Sequence, residues 1–428
     1  MVTVFIYLPG QIRSLAAGQY QYDAQNRVGH FTYFQDYLEL PDALPVDPIT
    51  LPLGTTRQST VFNEGLHGAF RDSVPDLWGR LVLENLQGLP VGSVDAERLL
   101  LLSDASRAGN LDFRESRTQG EKPFGPPAVE DFDDLIEAAA TIENNATLTP
   151  HMRMLMGHGD SNFSMGGARP KCLVENADGL WLAKLPSKHD TWNNARVELA
   201  TMRLAESCGI RVPEMRLAQT GRSDILMLKR FDREKTVAGY ARLGYLSALS
   251  VMGLDESDRS RHSYLEFADR VRSFFPQSWT RDKGEELFRR ILFNIFARNT
   301  DDHARNHGIL LCGTNMELSP AFDITPTVAT PGITTEFNLA MAPGPLGRVA
   351  SIENALAGAA HFGLNAEQAA ATVHDVGEKV GLWRQYFEEA GVSEEDMEKF
   401  GATFDSSQRE KALQVSVISD DDDTGPSY

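Results

Sequence analysis

At 428 residues, 42% apolar and 24% charged, the chain is too long for one small core and has the composition of a soluble globular protein with two or three lobes. Its net charge of −19 argues against direct nucleic-acid binding, because neutralising phosphates needs a basic face; DNA contact through a partner protein stays open. Cys172, Cys208 and Cys312 stand singly, which fits free thiols in the cytoplasm and excludes a disulfide framework or a cysteine zinc site.

In chain order, "MVTVFIYL" reads as a strand, and "GHFTYFQDYLEL" alternates as a second. No signal peptide is visible at this end, and no run approaches the ~20 apolar residues of a membrane span. "FNEGLHGAFRDSVPDLWGRLVLENL" turns helical, with Phe70 and Trp78 as core residues. A Pro- and Gly-rich surface connection, "RESRTQGEKPFGPPAVEDF", leads into the helix "VEDFDDLIEAAATIENN". A strand from Lys171 to Glu175, the turn "NADG" and the strand "LWLAKLPS" form a hairpin. "NNARVELATMRLAESCGIRVP" is a helix with Asn194 as cap and Gly209 as stop, and "MRLAQ" and "SDILMLKRFD" complete a small sheet. From about 240 onward the pattern is helical. In "GEELFRRILFNIFARN", Leu287, Phe288, Ile291, Leu292, Ile295 and Phe296 make one apolar stripe. "HGILL" and "MELSPAFDI" flank "CGTN" as a short hairpin, and the acidic end "ISDDDDTGPSY" reads as a disordered tail.

Four elements that carry chemistry follow one another: a glycine loop "SMGGARPK", the strand lysine Lys184, the helix acid Glu198, and then "TDDHARN" with "AFDI". A nucleotide kinase cleft needs these parts, because phosphoryl transfer is mostly positioning and charge neutralisation. Glycines let backbone N–H groups approach phosphates, a lysine neutralises them, and a helix glutamate holds the lysine. One aspartate orients the attacking hydroxyl, and an asparagine and a later aspartate hold magnesium through hard oxygens. Asp301 and Asn306 have the spacing of a kinase catalytic loop, and Asp323 follows after one hairpin, although in "FDI" and not "DFG". Each residue also has a bland reading. Asp301 and Asp302 suit a turn, Lys184 suits a snorkelling strand end, Ser164 is more often a simple loop serine, and His303 with His307 could ligate zinc if both sat on one helix.

Together "SMGGARPK", "AKLPS", "KRFDR", "NTDDHARNHG" and "SPAFD" resemble the HipA-like serine/threonine kinases, the toxin halves of bacterial toxin–antitoxin pairs. "FRDSVPDLWGR" and "RAGNLDF" are similar to that family's N-terminal module, so the resemblance runs from residue 1 to about 410. It implies an α/β (α+β), two-lobed protein-kinase-like fold. Its parts would be an N-terminal module over 1–125, a kinase N-lobe-like region over 150–235, a helical C-lobe over 236–412 and the tail 413–428. It implies Asp301 as catalytic aspartate with His303 beside it, and Asn306 and Asp323 as Mg2+ ligands. Lys184 and Glu198 would serve the ATP phosphates, with Gly166, Gly167 and Ser164 in the glycine loop; Ser164 matches the family's autophosphorylated serine. Lys229 and Phe231 fall at the adenine hinge, where the family often carries an acid in place of Lys229. The implied activity is ATP- and Mg2+-dependent phosphorylation of a protein target, an aminoacyl-tRNA synthetase being the family expectation, with growth inhibition or persistence as the outcome. A HipB-like helix-turn-helix antitoxin would be the partner that reads DNA. A corepressor scaffold and a small-molecule kinase remain as alternatives.

Overall fold

The first strands pair because their alternation leaves one apolar face to cover. In the computed structural model, which describes residues 1–103, 105–121, 131–144, 146–156, 169–221, 223–329 and 336–415, β1 (Val2–Ile6), β2 (Leu15–Asp23), β3 (Val28–Tyr33), β4 (Gln58–Thr60) and β5 (Leu111–Arg114) form an antiparallel sheet in the order β4-β3-β2-β1-β5. The strand expected over "GHFTYFQDYLEL" ends at Tyr33, and Gln35–Leu38 is a short helix. The chain divides into two compact units. The first comprises Met1–Ala195, Pro213–Ser257 and Gly308–Ser319; the second comprises Arg196–Val212, Asp258–His307 and Pro320–Tyr428.

The first unit holds a second antiparallel sheet, built from β6 (Lys171–Asn176), β7 (Gly179–Lys184), β8 (Met215–Gln219) and β9 (Asp224–Lys229) in the order β6-β7-β9-β8. One face of it carries Cys172, Val174, Trp181, Ala183, Ile225 and Met227. These pack with Trp78 of the helix Leu77–Gln87 and with Phe132, Leu135, Ala139 and Ile142 of the helix Phe132–Glu143. The hairpin expected around "NADG" is present, with Asn176 paired to Gly179. Gly179 has φ +137°, a conformation that Cβ-bearing residues rarely adopt. β10 (Arg233–Thr236) pairs with β11 (Gly239–Arg242); β11 and β12 (Gly244–Ser247) correct the helical reading from about 240 onward, and β12 pairs with β13 (Gly308–Cys312), which forms with β14 (Asn315–Leu318) the hairpin expected around "CGTN".

The sequence motif "KRFDR" has a structural job in this unit. Asp232 is buried and accepts from Arg230 at 2.7 Å, Arg233 at 2.8 Å and the Gly109 backbone N–H at 2.9 Å. Burial pushes this carboxyl up, but the two guanidinium groups outweigh it and hold the pKa below the usual carboxylate range. The contact ties "RAGNLDF" to the end of the second sheet.

The second unit is built on the helix Arg281–Phe296, started by Thr280, whose side chain accepts from the Lys283 N–H. Leu287, Phe288, Ile291, Leu292, Ile295 and Phe296 are all buried, as their spacing requires. Gly284 lets the Phe362 carbonyl approach so closely that any Cβ there would collide with it. Trp383, Phe387, Phe400 and Phe404 form an aromatic cluster in the same unit. Among the described residues no helix is long and apolar enough to cross a membrane.

Candidate active site

In the first unit, the β6–β7 hairpin carries the lysine expected at the phosphates. Lys171 and Lys184 are direct cross-strand partners, so both side chains leave the same face, and both are buried. That face is the one opposite Trp181 and Ala183; it also carries Leu173, Leu182, Leu226 and Leu228. This pair places two cationic side chains beside an apolar surface, an arrangement suited to a polyanion with a flat apolar part. The Trp78 indole N–H donates to the Lys171 carbonyl at 3.0 Å and fixes this strand from the other side.

In the second unit the loop after the helix Arg281–Phe296 is a tight turn. The His303 N–H donates to the Asp301 carbonyl and the Asn306 N–H to the His303 carbonyl, each at 2.8 Å. The Asn306 side-chain amide donates to the Asp301 carbonyl at 3.0 Å, which turns its oxygen outward from that bond. Asp301 is exposed. Its pKa is raised by partial desolvation and by the nearby Asp323 carboxylate, while the His303 and Arg259 charges oppose the rise. Asp323 has φ +61°, a left-handed conformation uncommon for a Cβ-bearing residue and often found at functional sites. Hard oxygens from Asp301, Asp323 and Asn306 thus belong to one neighbourhood, and they are the donor types that magnesium prefers. His303 is half-buried, and its Nδ1 has no hydrogen-bond partner.

Behind the loop lies a buried polar network. The Tyr264 hydroxyl donates to Asp302 at 2.6 Å, accepts from the Asn294 amide at 3.0 Å and lies 2.9 Å from His307 Nε2. The Ala340 N–H donates to the other Asp302 oxygen at 2.6 Å. Burial pushes Asp302 up to about 8, against the pull of those donors. Burial, helped by the Arg290 and His303 charges, pushes His307 down to about 3, so its imidazole is neutral.

The HipA-like C-terminal domain family matches residues 163–383, just over half of the chain. The chain belongs to the HipA-like family. It is similar in fold to HipA of Shewanella oneidensis MR-1, solved with HipB and its operator DNA, at 18% identity and a TM-score of 0.62, covering 97% of this chain and 96% of that one. A second solved structure, the Helicobacter pylori proinflammatory kinase CtkA, aligns over 59% of this chain and 92% of that one, at 14% identity and a TM-score of 0.44. No curated protein matches the chain.

The HipA-like chain distributes its expected residues unevenly. Asp301, His303, Asn306 and Asp323 fall in one region of the second unit, where Glu198 is also buried, on the helix Asn194–Ser207. Ser164, Gly166 and Gly167 lie outside the described residues. Lys184 is on the buried face described above, but Lys229 is not. Lys229 pairs with Trp181, so strand alternation sends its side chain to the opposite face, where its ammonium meets Glu214 at 2.9 Å and Asp178 at 3.8 Å. The Lys229 and Lys184 side chains therefore leave opposite faces of the sheet. In the segment expected to form the hinge, the Lys229 and Arg230 N–H groups already donate to the Glu214 and Leu180 carbonyls, and Phe231 lies tilted 6.4 Å from Tyr245. His303 and His307 do not share a helical face, because the segment between them is a turn. Sequence reasoning missed Lys171, although the hairpin register places it opposite Lys184. It also missed Tyr264 and Asn294, for which no local signal exists.

Proposed function

We propose that this HipA-like chain is an ATP- and Mg2+-dependent serine/threonine protein kinase that acts as the toxin of a toxin–antitoxin pair. The observation that carries the reading is the pairing of Asp301 with Asp323, close enough for one charge to disturb the other, with the Asn306 amide fixed to the same loop. Two carboxylates in one neighbourhood are costly alone and favourable around a divalent cation. In this reading Asn306 and Asp323 hold Mg2+, which would offset charge on the ATP phosphates. Lys184 and Lys171 bind those phosphates, and the leucines beside them receive the base. Asp301 orients the substrate hydroxyl and accepts its proton; its raised pKa makes it a better base than an ordinary surface aspartate. His303, beside it, opposes that rise. The target is a protein hydroxyl, Ser164 of the chain itself being one.

The net charge of −19 leaves the reading of DNA to a partner, and the Shewanella oneidensis relative was solved with HipB and operator DNA. A HipB-like antitoxin is the partner proposed here. The test is transfer of radioactive phosphate from ATP. Asp301→Ala should cut labelling of Ser164 by about 10²–10⁴-fold while the thermal transition stays in place. Retained labelling would remove Asp301 from its role, and loss of labelling together with loss of fold would be separated by circular dichroism.

A further inference from the structure

Arg242 ends β11 in the first unit. Only 9% of it is exposed, and its Nη1 is sheltered from solvent with no hydrogen-bond partner. Its guanidinium lies 4.0 Å above the Tyr7 ring, which covers one flat side but accepts no N–H in the plane. Asp112, whose carboxylate feels the Arg242 charge, and Asp232 accept their hydrogen bonds from other groups. Asp112 takes the Arg114 Nε–H at 2.8 Å with Arg107 at 3.6 Å, and Asp232 is held by Arg230 and Arg233. Across the β10–β11 ladder Arg242 faces Arg233 directly, so its nearest strand partner is a second cation. A buried guanidinium in this position costs free energy unless an acceptor completes it.

The same side chain lines a pocket whose other walls include Pro9, Pro45, Leu246, Leu311 and the polar Asn110. One cationic fork at a wall that mixes apolar side chains with polar groups suits an amphiphilic anion: the fork fixes the head and the prolines and leucines take the body. We propose that this pocket binds a carboxylate carried on a short apolar stem, with Arg242 as the head-group ligand. The carboxylate suits a planar fork, and the apolar walls disfavour a naked inorganic anion. The site uses neither the lysine strands nor the aspartate loop, so it stands whether or not the kinase reading holds.

The experiment uses the full chain and hexanoate as the probe. Hexanoate should raise the Tm saturably, by about 2–3 °C at ten times its Kd, and should give saturation-transfer NMR signals from its methylenes. Hexanol, which has the stem without the charge, should give neither effect, and sulfate should compete only at much higher concentration. Acetyl-leucine separates two sources of the same chemistry: binding tighter than hexanoate assigns a chain-terminal carboxylate, weaker binding a free acid. Arg242→Met should abolish both signals. If that variant does not fold, Arg242→Lys, which keeps the charge and loses the fork, should weaken binding at least about fivefold. No saturable hexanoate signal with the natural chain, an equal signal from hexanol, or an undiminished signal from either variant overturns the proposal.

Discussion

Asp232 in the first unit and Asp302 in the second are both almost completely withdrawn from water, yet their partners differ in kind. Asp232 is gripped by two guanidinium groups, whereas Asp302 receives a phenol and a backbone amide. The first carboxyl is driven down and stays ionised; the second is driven up to about 8 and changes charge near neutrality. Burial is common to both, so the comparison isolates the partner's charge as the deciding factor. A buried acid with cations beside it is a permanent staple, and one with only dipoles beside it answers to pH.

The largest effect should come from Asp232→Ala. It leaves Arg230 and Arg233 buried without their shared acceptor and should cost about 3–5 kcal/mol in urea unfolding. A loss below about 1 kcal/mol would break the comparison at its first member. The next effect is a pH slope. Asp302 has its folded pKa raised from 3.8 to about 8, so its contribution to stability is complete below pH 3.8 and is lost as pH rises through 8. The natural chain should therefore lose Tm between pH 6 and 9 faster than Asp302→Asn; parallel curves would show that Asp302 is ionised throughout. Tyr264→Phe should cost about 1–3 kcal/mol, because Asp302, Asn294 and His307 lose one shared hydroxyl, and it should push the Asp302 titration still higher. Smallest is Lys229→Ala. Its ion pairs with Glu214 and Asp178 are partly exposed, so the change should stay within about 1 kcal/mol and leave Mg–ATP affinity untouched by the side chain. A large affinity loss measured by calorimetry would return Lys229 to the nucleotide.

These contrasts also mark what the sequence could say. The helix Arg281–Phe296 was legible because six apolar residues recur over three turns, and the β6–β7 hairpin because its turn residues sit between two apolar runs. β10, β11 and β12 were not, since strands of four residues, two of them opening on Gly239 and Gly244, are too short to establish a period of two. The spacing of Asp301, Asn306 and Asp323 was readable as chemistry because it lies within one stretch of chain. The different characters of Asp301 and Asp302 were not, since they depend on Tyr264 and Ala340, brought in from distant segments. The orientation of Lys229 was hidden for a plainer reason: the residue type suits a nucleotide, and only strand parity reveals that it faces away from Lys184.

The indole of Trp78 carries a consequence for how such chains diversify. It belongs to the front of the sequence, yet it lies in the same apolar interior as Trp181 and Met227 and is bonded to the backbone of a lysine-bearing strand almost a hundred positions later. The leading segment is thus not a detachable accessory grafted onto a finished HipA-like body. Exchanging it between relatives would have to preserve interior shape, so residue 78 and the side chains around it should drift together over evolutionary time, constraining one another even where neither touches a ligand.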